Sequence, residues 1–187
     1  MFSRSQLANA RRRAGIVSLM AVAVSTFLLP SNVASAGVLD LTCVPPSSET
    51  VTYNPALTST PQATTVDVAT VLGPCTSTSR PDITSGSRNV TVQLTRSCLE
   101  LLDSGPTNFT LTWNTGETST ISANRASNIA GAVITVTHTG VVTSGVFTGD
   151  TVLLQTVGAA TDILTCTLGL GTVANLYSTV LLEITSL

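Results

Sequence analysis

The sequence predicts an all-β domain, an antiparallel two-sheet β-sandwich of about nine strands, immunoglobulin-like or jelly-roll-like in plan. Three observations point there. Apolar and polar residues alternate with a period of two in segment after segment, Gly, Pro, Ser and Thr separate the segments, and no helical pattern alternates with them. A closed barrel is the nearest rival.

Leu39, Leu41 and Cys43 share one face of the first segment, and Val51 and Tyr53 one face of the second, which ends at Asn54-Pro55. A third covers Thr64 to Leu72, with Val66 and Val68 on one side, and stops at the breaker pair Gly73-Pro74. Cys75 to Ser87 reads as a polar loop. The two clearest half-buried strands follow: Val90, Val92 and Leu94 alternate with Thr91, Gln93 and Thr95, and Phe109, Leu111 and Trp113 with Thr110, Thr112 and Asn114. Asn114-Thr115-Gly116 supplies hairpin turn residues before a strand through Ile121. Gly131 opens a strand carrying Ile134 and Val136, Gly140 marks a bend, and glycines at 145 and 149 bracket Val146-Phe147. The remaining strand segments are Thr151 to Val157, Ile163 to Leu168 and Thr179 to Thr185. Leu99 to Asp103 reads as a single helical turn.

Residues 1–36 read as a cleaved signal peptide and 37–187 as one secreted domain. Arg4, Arg11, Arg12 and Arg13 precede an uncharged run from Ala14 through Leu29, followed by Pro30 and then Ala34-Ser35-Ala36. That order of basic, apolar and small residues marks an export signal. The run contains Ser18, Ser25 and Thr26 and is shorter than the ~20 apolar residues of a bilayer-spanning helix. Small residues at Ala34 and Ala36 place cleavage before Gly37, so the expected location is extracellular, free or associated with the cell wall.

From Gly37 onward ten acidic residues face four arginines, a net charge near −6. Those arginines, Arg80, Arg88, Arg96 and Arg125, are scattered, so the basic stripe needed for nucleic acid is missing from the sequence. An acidic, lysine-free surface likewise argues against docking on anionic lipid. Abundant threonine suits half-exposed strands, being β-branched yet compatible with water.

Several stretches carry a family resemblance: Val51 to Thr58, Gly73-Pro74-Cys75, Ser97-Cys98, Thr112 to Ser119, Gly140 to Asp150 with Phe147, and Cys166. Through them the chain resembles a group of small secreted actinobacterial, Streptomyces-like proteins of unknown function. The resemblance spans most of the chain after residue 36, rests on turn and core residues, and implies a disulfide-containing β-sandwich with no catalytic assignment.

Cys43, Cys75, Cys98 and Cys166 are even in number in a chain read as exported, which points to two disulfides. Zinc would want paired ligands at close spacing, whereas these cysteines stand 32, 23 and 68 positions apart. The favoured pairing is Cys75 with Cys98, closing the polar loop, and Cys43 with Cys166, tying the terminal strands. His138 is the sole histidine and continues the parity of Ile134 and Val136, which reads as a hydrogen-bonded histidine at the end of an apolar strand face. No G-x-S-x-G elbow or D-x-[DN]-x-[DN]-G calcium loop occurs. Asp82, Asp103, Glu117, Asp150 and Asp162 fall at turns or strand ends, where solvated side chains are the ordinary expectation. Trp113 could stack on a sugar, but its parity with Phe109 and Leu111 assigns it to the core.

The expected protein is therefore a secreted, non-enzymatic structural or interaction protein with no catalytic residue, metal or cofactor. The alternatives are an extracellular carbohydrate-binding module, marked by an exposed aromatic row, and an inhibitor of extracellular hydrolases, marked by a rigid loop between Cys75 and Cys98. Its partner would be cell-wall or environmental polysaccharide or another secreted protein. Protein recovered from culture medium is expected to start at Gly37; N-terminal sequencing that finds Met1 intact would overturn the export reading.

Overall fold

In the computed structural model, residues 37–186 are described, and ten strands form one continuous antiparallel sheet. The strands are β1 (Leu39–Cys43), β2 (Ser48–Leu57), β3 (Gln62–Leu72), β4 (Cys75–Ser77), β5 (Gly86–Arg96), β6 (Gly105–Trp113), β7 (Thr118–Ala130), β8 (Val133–Gly145), β9 (Thr151–Ala159) and β10 (Val173–Thr185). A 3-10 turn (Leu99–Leu102) joins β5 to β6, and one short helix, α1 (Thr161–Thr167), joins β9 to β10. The expected signal peptide, with Ala34 and Ala36, lies outside the described residues; Gly37 is the first residue within them.

The sheet closes on itself. Strands β2, β3, β5, β6, β7, β8, β9 and β10 follow one another around a barrel, and β10 returns to pair with β2 through Val173↔Leu57 and Asn175↔Thr52 to Thr179↔Ser48. The two-sheet sandwich, immunoglobulin-like or jelly-roll-like, is thus corrected to an eight-stranded closed barrel with two outer strands. Beyond Thr179 the freed edge of β10 takes up β1, with Cys43↔Leu182 and Thr42↔Glu183, and β1 in turn carries the short β4. Sandwich and barrel bury one face of every strand with the same period-two pattern. What separates them here is the closing pair, in which Ser48–Thr52 meet Asn175–Thr179 and Leu57 meets Val173, and a register shift between Val173 and Asn175 breaks the alternation there.

Inward-facing side chains form two apolar clusters. One end holds Phe109, Leu111 and Trp113, which are 6, 0 and 2% exposed, packed with Leu41, Ile121 and Leu182. At the other end Tyr53, Leu57 and Ile134 pack against Leu101 of the 3-10 turn and Ile163 of α1. Ile163 and Cys166 are the buried residues of α1, three positions apart, so the expected strand from Ile163 to Leu168 is instead a helix that turns this pair onto the barrel end. Gly131 lies in the β7–β8 turn with φ of 61° and does not open a strand. Phe147 sits in the β8–β9 turn at φ 64°, a conformation that disfavours an aromatic residue. Its ring is 9% exposed and meets Trp113 edge-on at 5.9 Å.

The disulfides are Cys43–Cys75 and Cys98–Cys166, which corrects the expected pairing. Cys43 and Cys75 stand directly opposite each other in the β1–β4 ladder. The backbone N–H of Cys75 donates to Thr84 beside the start of β5, whereas Cys98 follows the end of that 11-residue strand. At ~3.3 Å per residue the two cysteines are separated by roughly the height of the barrel. Cys98–Cys166 joins the β5–β6 connection to α1 and fastens the second plug, over a sequence separation of 68 residues. A loop of that length corresponds to about 4 kcal/mol in the chain-entropy view.

Trp113 anchors the first cluster. Its indole Nε1 donates to Ser119 Oγ at 2.9 Å, and that hydroxyl donates to the Val146 carbonyl. The ring covers Gly86, where a Cβ would stand 2.7 Å from Cε3. Trp113→Ala is expected to destabilise by about 3–5 kcal/mol and Gly86→Ala by about 1–3 kcal/mol, while exposed Thr112→Ala changes little. Urea midpoints measure all three, and an unmoved midpoint in Trp113→Ala would contradict the buried role.

Candidate functional site

Between the two apolar plugs the barrel is not filled. A cavity of about 410 Å³ occupies its middle, within the usual ~300–1,000 Å³ range of small-molecule sites. Its walls come from the inward positions of successive strands: Val51 on β2, Val68 on β3, Val90 and Val92 on β5, Val136 on β8 and Leu176 on β10. These aliphatic side chains give the space an apolar body.

The cavity opens because one seam of the barrel is barely joined. Strands β5 and β6 pair only through Gly86↔Trp113 and Ser87↔Thr112, while β3 and β5 pair along all eleven residues of β5. Past Ser87 the facing edges of β5 and β6 make no ladder with each other. Val92 and Leu94, inward by parity, are consequently 38 and 39% exposed. Pro106 stands on the β6 side, a residue tolerated at an unpaired edge because it has no N–H to leave unsatisfied.

The charged groups of this interior are unevenly distributed. Three of the four arginines after residue 36, Arg88, Arg96 and Arg125, line the cavity, against Glu49 and Glu100 among the ten carboxylates. Both glutamates are engaged: Thr70 donates to Glu49 at 2.7 Å, and Glu100 accepts from the backbone and hydroxyl of Ser97, which hold its carboxyl below the usual range. Arg125 donates to the carbonyls of Leu101 and Asp103, fixing the 3-10 turn across the barrel end. Arg88 has no such partner. Its Cζ lies 5.1 Å from the centre of the Phe109 ring, and its Nε is buried without a hydrogen bond among the described residues. Burial lowers the pKa of both Arg88 and Arg125.

His138 faces the same space. Its ring meets Phe109 edge-on at 5.7 Å, its β7 neighbour in register is Arg125, and its Nδ1 is buried with no partner among the described residues. The expected hydrogen-bonded edge histidine is therefore corrected to an unpartnered one inside the barrel. Burial, followed by the charges of Arg125 and Arg88, pushes its pKa down to about 4. The imidazole is thus neutral near pH 7. Tyr53, at the second plug, is raised to about 12, chiefly by burial.

The other sequence-predicted groups lie elsewhere. Asp82 and Glu117 form an exposed cluster with Arg80, whose hydrogen bonds lower both carboxyls. Asp40 is 8% exposed; burial opposes its ionisation, but hydrogen bonds from Ser79, Thr78 and Ser77 outweigh it and keep the carboxyl low. Those same bonds tie the segment after β4 down onto β1. Asp150 is raised by partial burial and by Asp40. Among the described residues no cluster of three metal-ligating side chains occurs, and Tyr177 is the lone exposed aromatic. Sequence reasoning passed over Arg88, Arg96 and Arg125 as scattered; the signal in reach was that Arg88 and Arg96 share the parity of Val90, Val92 and Leu94.

No family model matches the chain, and neither a curated protein nor a solved structure matches it.

The histidine gives a signed prediction. Its folded pKa of about 4 lies below the ~6.5 of an unfolded chain, so between those values the unfolded state binds the proton more readily and stability falls with pH. At 1.36 kcal/mol per unit the loss approaches an upper bound of about 3 kcal/mol once the pH is below 4. The charged and titratable groups around it, Arg88, Arg96, Arg125, Glu49, Glu100 and Tyr53, remain in both proteins when wild type is compared with His138→Gln. The urea midpoint of wild type is expected to drop more steeply from pH 7 to 4.5; parallel profiles would show that His138 is not held neutral by the fold.

Proposed function

We propose that this is a secreted, non-enzymatic binding protein that carries a small, largely apolar molecule inside its barrel. The single observation behind this reading is the cavity of about 410 Å³ reached through the open β5–β6 seam. Eight strands enclose an interior that side chains can fill or that can hold one small ligand. Here two apolar clusters fill the ends, and the middle is left to aliphatic walls and a few charged groups.

The rival readings draw less support. A carbohydrate-binding platform needs a row of exposed aromatics, and among the described residues Tyr177 stands alone at 62% exposure. A hydrolase inhibitor with a rigid protruding loop finds little to use between Cys75 and Cys98, where Ile83 is fully buried and β5 occupies the second half.

A solvatochromic apolar dye such as Nile red is expected to bind one to one with a blue-shifted emission. Val90→Trp, which fills the cavity from β5, should weaken the dye at least tenfold without lowering the denaturation midpoint. Absence of binding to wild type, or undiminished binding to Val90→Trp, would overturn the carrier reading.

A further inference from the structure

The cavity carries more chemistry than a greasy hole requires. A chain with ten carboxylates and four arginines past residue 36 places three of the four arginines on one internal surface. The two glutamates that share that surface are already bonded to Thr70 and Ser97. Arg125 is likewise committed, to two carbonyls. Arg96 makes no side-chain hydrogen bond among the described residues but has no buried orphan atom; the cavity groups that have one are Arg88, at Nε, and His138, at Nδ1. The two flank one aromatic ring: the guanidinium over Phe109 at 5.1 Å and the imidazole at its edge at 5.7 Å.

Arg88 Nε and His138 Nδ1 are closed off from the cavity, so a ligand meets Arg88 through its Nη pair, which makes no hydrogen bond among the described residues. That pair matches the two oxygens of a carboxylate and not a single hydroxyl. The neutral imidazole lies beside it on the same cavity wall. The floor beneath both is apolar, and Val90, Val92 and Leu94 continue from Arg88 along β5 toward the open seam.

We propose that the occupant is an amphipathic carboxylate, its head held by Arg88 and His138 above Phe109 and its apolar body lying against Val90, Val92 and Leu94 of β5. This rests on the carrier reading above and names the ligand class of that same cavity. The carboxylate gives the Arg88 Nη pair the acceptor that the described residues do not supply and balances the excess of arginine in the interior. Its negative charge also favours the imidazolium, so binding draws a proton toward His138 as the pH falls.

The test compares dodecanoate with 1-dodecanol, equal in chain length and different in head, by isothermal titration calorimetry on the purified protein at pH 7.5. Dodecanoate is expected to bind at least tenfold more tightly. Arg88→Gln should bring it to the level of the alcohol, while Arg88→Lys, which keeps the charge and loses the fork, retains part of the preference. Because the chain has one histidine, its ring proton resonances give a second readout. The His138 titration midpoint should move up by a unit or more in the dodecanoate complex and stay in place in the dodecanol complex. Equal affinities, a preference that survives Arg88→Gln, or an unmoved histidine in the dodecanoate complex would overturn the carboxylate assignment alone. If neither compound binds, the carrier reading falls with it.

Discussion

The structure depends on one strand pairing with two others along the same edge. Over its first half β10 hydrogen-bonds to β2 and closes the barrel, and over its second half the same edge passes to β1, while β9 runs along the other side. A sheet of eight twisted strands left open would present two long unpaired edges; closure removes them and creates an inside. Every inward residue of the cavity, from Glu49 to Ser178, faces its neighbours because of that closure. The outer pair β1 and β4 continues the work at one end, where Cys43–Cys75 fixes the two strands together and Asp40 gathers the segment that follows.

The second constraint is where closure is incomplete. A barrel with all eight seams zipped and both ends plugged would seal its interior. The structure instead zips seven seams and leaves most of the eighth open, in the wall nearest the aliphatic run of β5. Cys98–Cys166 and the bonds from Arg125 hold the 3-10 turn and α1 in place at the adjoining barrel end. Rigid ends and a parted side wall place the access route along the strands and not through a cap. The aromatic Phe109 sits at the depth where the apolar plug gives way to the polar belt, touching Arg88 and His138 at once.

Much of this was legible residue by residue. Alternation in Val90 to Leu94 and Phe109 to Trp113 located two strands and their inward faces, of which only that of Phe109 to Trp113 is buried, and the parity of His138 put it on the side of Ile134 and Val136. What alternation cannot encode is which edge meets which. A sandwich and a barrel have the same inward and outward residues, and the pairing that separates them joins Ser48–Thr52 to Asn175–Thr179, more than a hundred residues away and beside a register shift that interrupts the alternation at Val173–Asn175. The same limit explains the disulfides: Cys75 and Cys98 bracket a polar stretch in sequence, yet an extended β5 carries them to opposite ends. Ile163 and Cys166 show the opposite difficulty, a short apolar run whose buried pair is spaced by three and which is too short to distinguish a helical turn from a strand. The site itself was the least legible part, because scattered arginines become a cluster only after three strands have wrapped around a common axis.

The position of β10 in the chain also sets an order of assembly. Successive hairpins from β6 through β9 can form from neighbours in sequence, and β2, β3 and β5 can do the same. Those two sheets touch each other directly only at the two residue pairs of the β5–β6 seam. Until Val173–Thr185 is in place, β2 and β9 are open edges and no interior exists to exclude water. The last strand is therefore a keystone: pairings more than a hundred residues apart in sequence are made at once or not at all, which makes closure slow to nucleate and strongly cooperative. Cavity and plugs are completed together when that strand closes the barrel.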